Sequence, residues 1–336
     1  MSEAARKREV GRADRVVPGV WRLRLPLPWP GVPHCNAWAL SSGSGVVLVD
    51  TGLGGPGAIR QLELALSQAG LRLEHVRLLV CTHAHSDHYG LAGPIVDAAG
   101  CELWMHPNHA HMTKRAEDPE LALQRRIEVA RQSGVPEEAL SRYQSAQKGG
   151  GMGVDRVVLP DRDLLPGVEV ETDLGVLHVY ETPGHAPSHV CLHQPDRGIL
   201  ISGDHLLGRV SLYYDYGYTP DPAGEFLNSL EVVAGLSSRL CLSGHGRPFI
   251  DVSAHVEANR REVHERMGRV RRALEEGAKT PFEIVPTLMD VAPDELTPML
   301  VNWGLSETLC YLRHFELRDM ARRLDGEEPE RWELAA

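Results

Sequence analysis

No run of about 18 apolar residues occurs in the 336-residue chain, so the sequence offers no membrane-spanning helix. The opening MSEAARKREVGRADRVV is polar and lacks the apolar stretch of a secretory signal, which leaves the cytoplasm as the expected compartment. There is no C-x-x-C pair. Cys35, Cys81, Cys101, Cys191, Cys241 and Cys310 are scattered, and single thiols of this kind read as buried residues in a reducing compartment. Positive charge is also short: 35 Lys and Arg against 46 Asp and Glu give a net charge of −11, which weighs against a broad nucleic-acid or anionic-membrane surface. The stretch KGGGMGVD (148–155) lacks the G-x-x-x-x-G-K-[ST] order that cradles phosphate, and is expected to be a flexible connector.

What is there is a globular composition, 42% hydrophobic and 24% charged. Short strands and helices alternate in two similar halves, which predicts sheets covered by helices. The prolines at 26, 28, 30 and 33 predict interrupted strands near the start, whereas Val46–Val49 and Val76–Cys81 read as buried strands. Helices are expected over 56–69, 93–99 and 224–236, with a charged helical insertion at 108–150. From about residue 253 the pattern turns helical to the end, giving a catalytic unit over 16–252 and a small C-terminal module over 253–336.

The most concentrated chemistry is THAHSDHYG (82–90), with three histidines and an aspartate in six positions. Three other strand ends run into similar loops: TPGHAPSH, SGDH and SGHG. If their strands lie in adjacent sheets, all four loops open on one edge. Imidazole and carboxylate suit borderline divalent ions, which need four or five ligands each. His83, His85 and His185 supply three nitrogens for one ion. Asp87, His88 and His245 serve a second, and Asp204 can offer one oxygen to each.

This pattern resembles the metallo-β-lactamase superfamily, whose landmarks occur here in order: Asp50 in VDTG, the His83-x-His85-x-Asp87-His88 string, His185, Asp204 and His245. The resemblance spans roughly residues 16 to 252. It implies an α/β fold of αββα type, two mixed sheets packed together with outer helices, and a dinuclear centre holding zinc, with iron or manganese as alternatives. It also implies that Asp50 orients a ligand. The tail resembles, more loosely, the winged-helix-like module that follows some of these domains. His189 and His205 are expected beside the ligands, while His106, His109 and His111 read as surface or supporting residues.

The bridging carboxylate Asp204 points to the esterase-like branch, similar to hydroxyacylglutathione hydrolase. The expected reaction is attack of a metal-bridging hydroxide on an ester or thioester carbonyl of an acyl-CoA or acylglutathione type, with Asp87 taking the proton in passing. Lactonase and β-lactamase-like activities are the nearest alternatives. An endoribonuclease is the reading from another class, but residues 255–279 set seven Lys and Arg against five Glu, with no aromatic residue for base stacking. The expected partner is a small acyl substrate, with no membrane and no nucleic acid; a homodimer is compatible. Tyr213, Tyr214, Tyr216 and Tyr218 crowd a loop after the bridging aspartate, and at least one is expected to touch substrate.

Overall fold

The computed structural model describes residues 10–147 and 151–335. The first nine residues of the polar leader, and residues 148–150 of the glycine-rich connector, lie outside them.

Seven strands form the first sheet in chain order: β1 (Arg12–Val17), β2 (Val20–Trp29), β3 (Val32–Ser42), β4 (Gly45–Val49), β5 (Val76–Val80), β6 (Glu102–Met105) and β7 (Arg162–Asp163). The first four pair antiparallel and the remainder join in parallel. The second sheet holds β8 (Glu169–Thr172), β9 (Gly175–Glu181), β10 (Val190–Gln194), β11 (Ile199–Gly203) and β12 (Leu240–Ser243), in the order β12-β11-β10-β9-β8. Only β11 and β12 pair in parallel there. Both sheets are therefore mixed.

Side-chain alternation explains why the sheets stack. Along β3, Trp38 and Leu40 enter the layer between the sheets while Cys35, Ala37 and Ala39 face the other way; on β4, Val47 and Val49 do the former, Val46 and Leu48 the latter. The inner layer is completed from the second sheet by Val170, Leu177, Val179, Val190, Leu192, Ile201 and Leu242. Helices α1 (Ala58–Gln68), α2 (Ser86–Tyr89) and α3 (Ala92–Ala99) lie with the first sheet, where Leu62, Leu66 and Ile95 cover its outer face. This is the αββα sandwich.

β2 runs unbroken through Pro26 and Pro28, unlike the interrupted strand the prolines suggest. Its pairing with β1 ends at Arg24, so both prolines stand where that edge has no partner to receive an N–H. Residues 110–147 form α4 (Ala110–Glu117), α5 (Pro119–Gln132) and α6 (Glu137–Gln147). The described part of the glycine-rich connector is anchored rather than loose. The Gly153 carbonyl accepts from the Gly54 N–H at 2.8 Å and the Asp155 N–H donates to the Gly90 carbonyl at 3.0 Å, pinning it against the histidine loop.

On the outer face of the second sheet, α7 (Pro222–Ala234) meets α8 (Val252–Glu275), α9 (Pro281–Met289) and α10 (Pro298–Glu316). One apolar core runs from Cys191, Leu200 and Cys241 through Phe226 and Leu230 to Val263, Leu288 and Tyr311. A two-stranded antiparallel hairpin, β13 (Ala321–Arg323) and β14 (Trp332–Leu334), follows the helices. All six cysteines are buried and unpaired. Among the described residues no helix is long and apolar enough to cross a membrane.

Candidate metal centre

Strand ends bring the histidines together. Residues 81–85 leave β5 as an irregular segment that bends at Thr82 and His83, and α2 then turns Asp87 and His88 back toward the same point. His185 follows β9, Asp204 follows β11 and His245 follows β12, so the second sheet contributes from three of its strand ends.

Two clusters result. His85 Nδ1 lies 3.1 Å from His83 Nε2 and 3.0 Å from His185 Nε2. Nitrogens bound to one zinc at 2.0–2.1 Å in a tetrahedron stand roughly 3.3 Å apart, so this spacing fits a shared ion. In the second cluster, Asp87 Oδ2 is 3.5 Å from His88 Nε2 and 3.3 Å from His245 Nε2. Asp204 joins the two: Oδ2 is 3.1 Å from His245 Nε2 and 3.7 Å from His185 Nε2, and Oδ1 is 3.4 Å from His88 Nε2.

Each of the five imidazoles uses one nitrogen outward and turns the other inward. His83 Nδ1 meets the Thr82 hydroxyl at 3.1 Å, His88 Nδ1 meets Asp50 Oδ2 at 2.8 Å, and His85 Nε2 meets Asp215 Oδ2 at 2.8 Å. His185 Nδ1 and His245 Nδ1 reach the carbonyls of Tyr213 (3.1 Å) and His34 (3.0 Å). Outward donation fixes the tautomer and aims a lone pair into the cluster. The inward His88 Nε2 and Asp204 Oδ1 are buried with no hydrogen-bond partner, a costly state that a cation relieves. Gly244 makes room for them: a Cβ there would stand 2.1 Å from Asp204 Oδ1 and 2.6 Å from His88 Cε1.

The two clusters differ electrostatically. Burial pushes the His83 and His185 imidazoliums down, His185 to about 4, and neighbouring histidines add to it, so these rings are neutral donors. Burial also opposes charge on His88 and His245, but Asp204 and Asp87 overcome it and raise both, His245 to about 10. The second cluster is built to hold positive charge. Asp87, despite burial, is kept below the ordinary carboxylate value by His88 and His245. These His/Asp clusters are able to bind metal ions.

The remaining expected residues divide. His189 supports the site: its Nε2 accepts the Asp204 N–H at 3.1 Å while Nδ1 meets the Thr182 hydroxyl at 2.8 Å. His205 joins neither cluster: its ring packs 4.7 Å from Phe226 and 6.0 Å from His189. Of the tyrosines, Tyr213 leans on His85 and His185 with ring centroids at 5.7 Å, and the half-exposed Tyr218 lies 5.7 Å from His111. Tyr214 is fully buried against Phe226 and Tyr311, and Tyr216 packs on the same core, so neither faces the clusters.

Two participants, Asp215 and Ser188, escape sequence reading, and His111, read there as a surface or supporting residue, joins them. Asp215, 4% exposed, holds His85, and the buried His111 comes within 2.9 Å of it. Ser188 links His111 Nε2 (2.8 Å) to the Ala84 N–H (3.0 Å). None carries a spacing signal, since their contacts reach across 77 to 130 residues of chain.

Comparison with known proteins agrees with the fold. The family model of the metallo-beta-lactamase superfamily matches residues 30–245. A probable metallo-hydrolase, YqjP, of Bacillus subtilis is 28% identical over 285 residues, 79% of this chain and 83% of that protein. An atrochrysone carboxyl ACP thioesterase of Aspergillus chevalieri is 22% identical over 321 residues, 93% of this chain and 86% of its own. The crystal structure of a metallo-beta-lactamase family protein from Thermus thermophilus superposes with a TM-score of 0.80 at 28% identity, covering 95% of this chain and all of that one. The chain belongs to the metallo-beta-lactamase superfamily, whose members are in general hydrolases.

Proposed function

We propose that the chain hydrolyses carbonyl esters or thioesters of small acyl substrates, of acyl-CoA or acylglutathione type, with two divalent cations held by the clusters above. His83, His85 and His185 hold one, Asp87, His88 and His245 the other, and Asp204 serves both; zinc is the first candidate and iron or manganese the alternatives. The observation that carries the reading is the Asp204 carboxylate, whose two oxygens face His88 on one side and His185 and His245 on the other. The relative named as an acyl-carrier-protein thioesterase, matched along nearly all of this chain, supports a thioester substrate.

When bound, the cations supply the acidity that makes a water nucleophilic at neutral pH and the charge that polarises a carbonyl. The protein's own groups do the remainder. Asp87, held ionised by His88 and His245, is the group that takes the proton from the attacking water in passing. Tyr213 packs against His85 and His185 on one flank, and Tyr218, half exposed beside His111, is the ring placed to meet substrate. The ribonuclease reading is weakened along residues 255–279, where four of the seven basic side chains, Arg260, Arg266, Arg271 and Lys279, are engaged by Glu231, Glu257, Glu262, Glu275, Glu276 and Glu307.

The test is a hydrolysis panel on metal-loaded full-length protein: an acyl-CoA, an acylglutathione, a lactone, a cephalosporin and single-stranded RNA, with metal content measured on the same sample. The expected result is fastest turnover of a thioester, two ions per chain, and loss of activity on chelation. Activity retained in metal-free protein, or RNA or cephalosporin as the preferred substrate, overturns it.

A further inference from the structure

Three consecutive residues grip the metal centre on one side and the C-terminal helices on the other. The Tyr213 carbonyl accepts from His185 Nδ1 at 3.1 Å, Asp215 Oδ2 accepts from His85 Nε2 at 2.8 Å, and the Asp215 N–H donates to the His185 carbonyl at 3.2 Å. Two of the three histidines in the first cluster are thus aimed from one short segment. Between these contacts, Tyr214 points the opposite way. Its ring is fully buried against Tyr311 and Phe226, and its carbonyl accepts from the Ser306 hydroxyl of α10 at 2.7 Å. The anchor is itself braced: the Tyr311 hydroxyl donates to Glu307 at 2.8 Å, and Arg266 of α8 donates to the same carboxylate at 2.6 Å.

We propose that Tyr213–Asp215 is a positioning clamp through which the C-terminal helices set the metal affinity of the His83–His85–His185 cluster. The proposal rests on the reading of these clusters as a metal centre. Asp215 is the positioning residue at its tip. The Tyr213 hydroxyl donates to its Oδ1 at 3.2 Å, and His111 approaches Oδ2 at 2.9 Å. His111 in turn reaches Ser188, which accepts the N–H of Ala84, the residue between His83 and His85. The contacts close a ring, His85 to Asp215 to His111 to Ser188 to Ala84, so the imidazole of His85 has one orientation open to it.

The clamp is selective. His88 takes its orientation from Asp50, just past β4, and His245 from the carbonyl of His34 in β3, and neither contact involves residues 213–215. A change at the clamp therefore weakens one ion and spares the other, whereas a general loss of stability weakens both.

The experiment strips the full-length protein with a chelator and titrates in Co²⁺, then Zn²⁺, following uptake by calorimetry and, for cobalt, absorption. Wild type takes two ions. In Asp215→Asn one binding step weakens by about 10–100-fold while the other is unchanged. Ser306→Ala, distant from any ligand, weakens the same step by a smaller factor, on the order of 2–10-fold, the worth of one hydrogen bond. If Asp215→Asn fails to fold by circular dichroism, Ser306→Ala and His111→Gln decide the matter on the same criterion. Folded variants with both steps unchanged, or with both weakened alike, overturn the clamp. A wild-type chain that takes up no ion overturns the metal reading itself and the clamp with it.

Discussion

Asp50 Oδ2 lies 2.8 Å from His88 Nδ1, while its Oδ1 accepts the N–H of Thr82 at 2.8 Å. One buried carboxylate thus fixes a ligand of the second cluster and the first turn of the loop that carries the other histidines. Asp50 sits at φ 65°, a left-handed conformation that aspartate and asparagine adopt more readily than most residues. Asp50→Asn keeps the backbone and the Thr82 contact but removes the charge facing His88. The expected result is a folded protein whose metal affinity or turnover falls about 10–100-fold, read by metal titration and by kcat/KM on the preferred substrate.

Gly244 gives a steric test of the same cluster. A methyl group at this position collides with Asp204 Oδ1 and His88 Cε1 in a part of the fold where the Gly244 N–H is also bonded to the Gly203 carbonyl at 2.7 Å. The backbone cannot retreat without breaking that bond. Gly244→Ala is expected to displace the Asp204 carboxylate and leave fewer than two ions per chain, with hydrolysis lost. Elemental analysis of purified variant and wild type reads it directly.

The residues at strand ends are legible in the sequence because each follows an apolar run that reads as a buried strand. His83 after β5, His185 after β9, Asp204 after β11 and His245 after β12 share one edge for that reason. Asp215 is not legible. It stands in an irregular segment among four tyrosines, and what makes it matter is a neighbour 130 residues away. Its contacts depend on how α4 and α10 pack, which periodicity does not encode. His205 misleads for the opposite reason: adjacency in sequence to Asp204 suggests adjacency in the site, yet its ring packs on Phe226 while the Asp204 carboxylate meets His245.

The tyrosine loop separates into positions with different expected phenotypes. Tyr214→Phe keeps the buried ring and the backbone bond to Ser306 and loses only a 3.4 Å contact between hydroxyls. It should cost about 0.5–1.5 kcal/mol of stability at most and leave kcat/KM unchanged. Tyr213→Phe removes a donor to Asp215 and should lower metal affinity modestly. Tyr218→Ala, at an exposed ring outside the ligand network, should raise KM with kcat preserved. Unfolding curves and steady-state kinetics on the three variants distinguish these outcomes; a Tyr214→Phe enzyme impaired in kcat would contradict the assignment of that ring to the core.

Asp221 ties α7 to α10 and makes acid stability a test of how the C-terminal helices are held. Its Oδ1 accepts from the Gly224 N–H at 2.9 Å and from His314 Nδ1 at 2.8 Å, and Oδ2 accepts from Arg318 at 2.9 Å. Burial pushes its pKa up, but these donors prevail and hold it below the usual 3.8. A carboxylate whose native pKa is depressed contributes stability that is full above its unfolded value and is lost as pH falls through the native one. Asparagine retains the capping oxygen and loses the charge. Asp221→Asn should therefore be less stable by about 1–2 kcal/mol at pH 7, the order of a hydrogen bond to a charged group. That deficit should shrink as the pH drops below the unfolded value of about 3.9 and through the depressed native one, where the wild-type carboxylate takes up its proton. Urea unfolding of both proteins in chelator, at pH 7 and at pH 3, isolates this from metal loss. A deficit that stays constant across the two pH values would mean that packing at α7, rather than the charge of Asp221, carries the connection to α10.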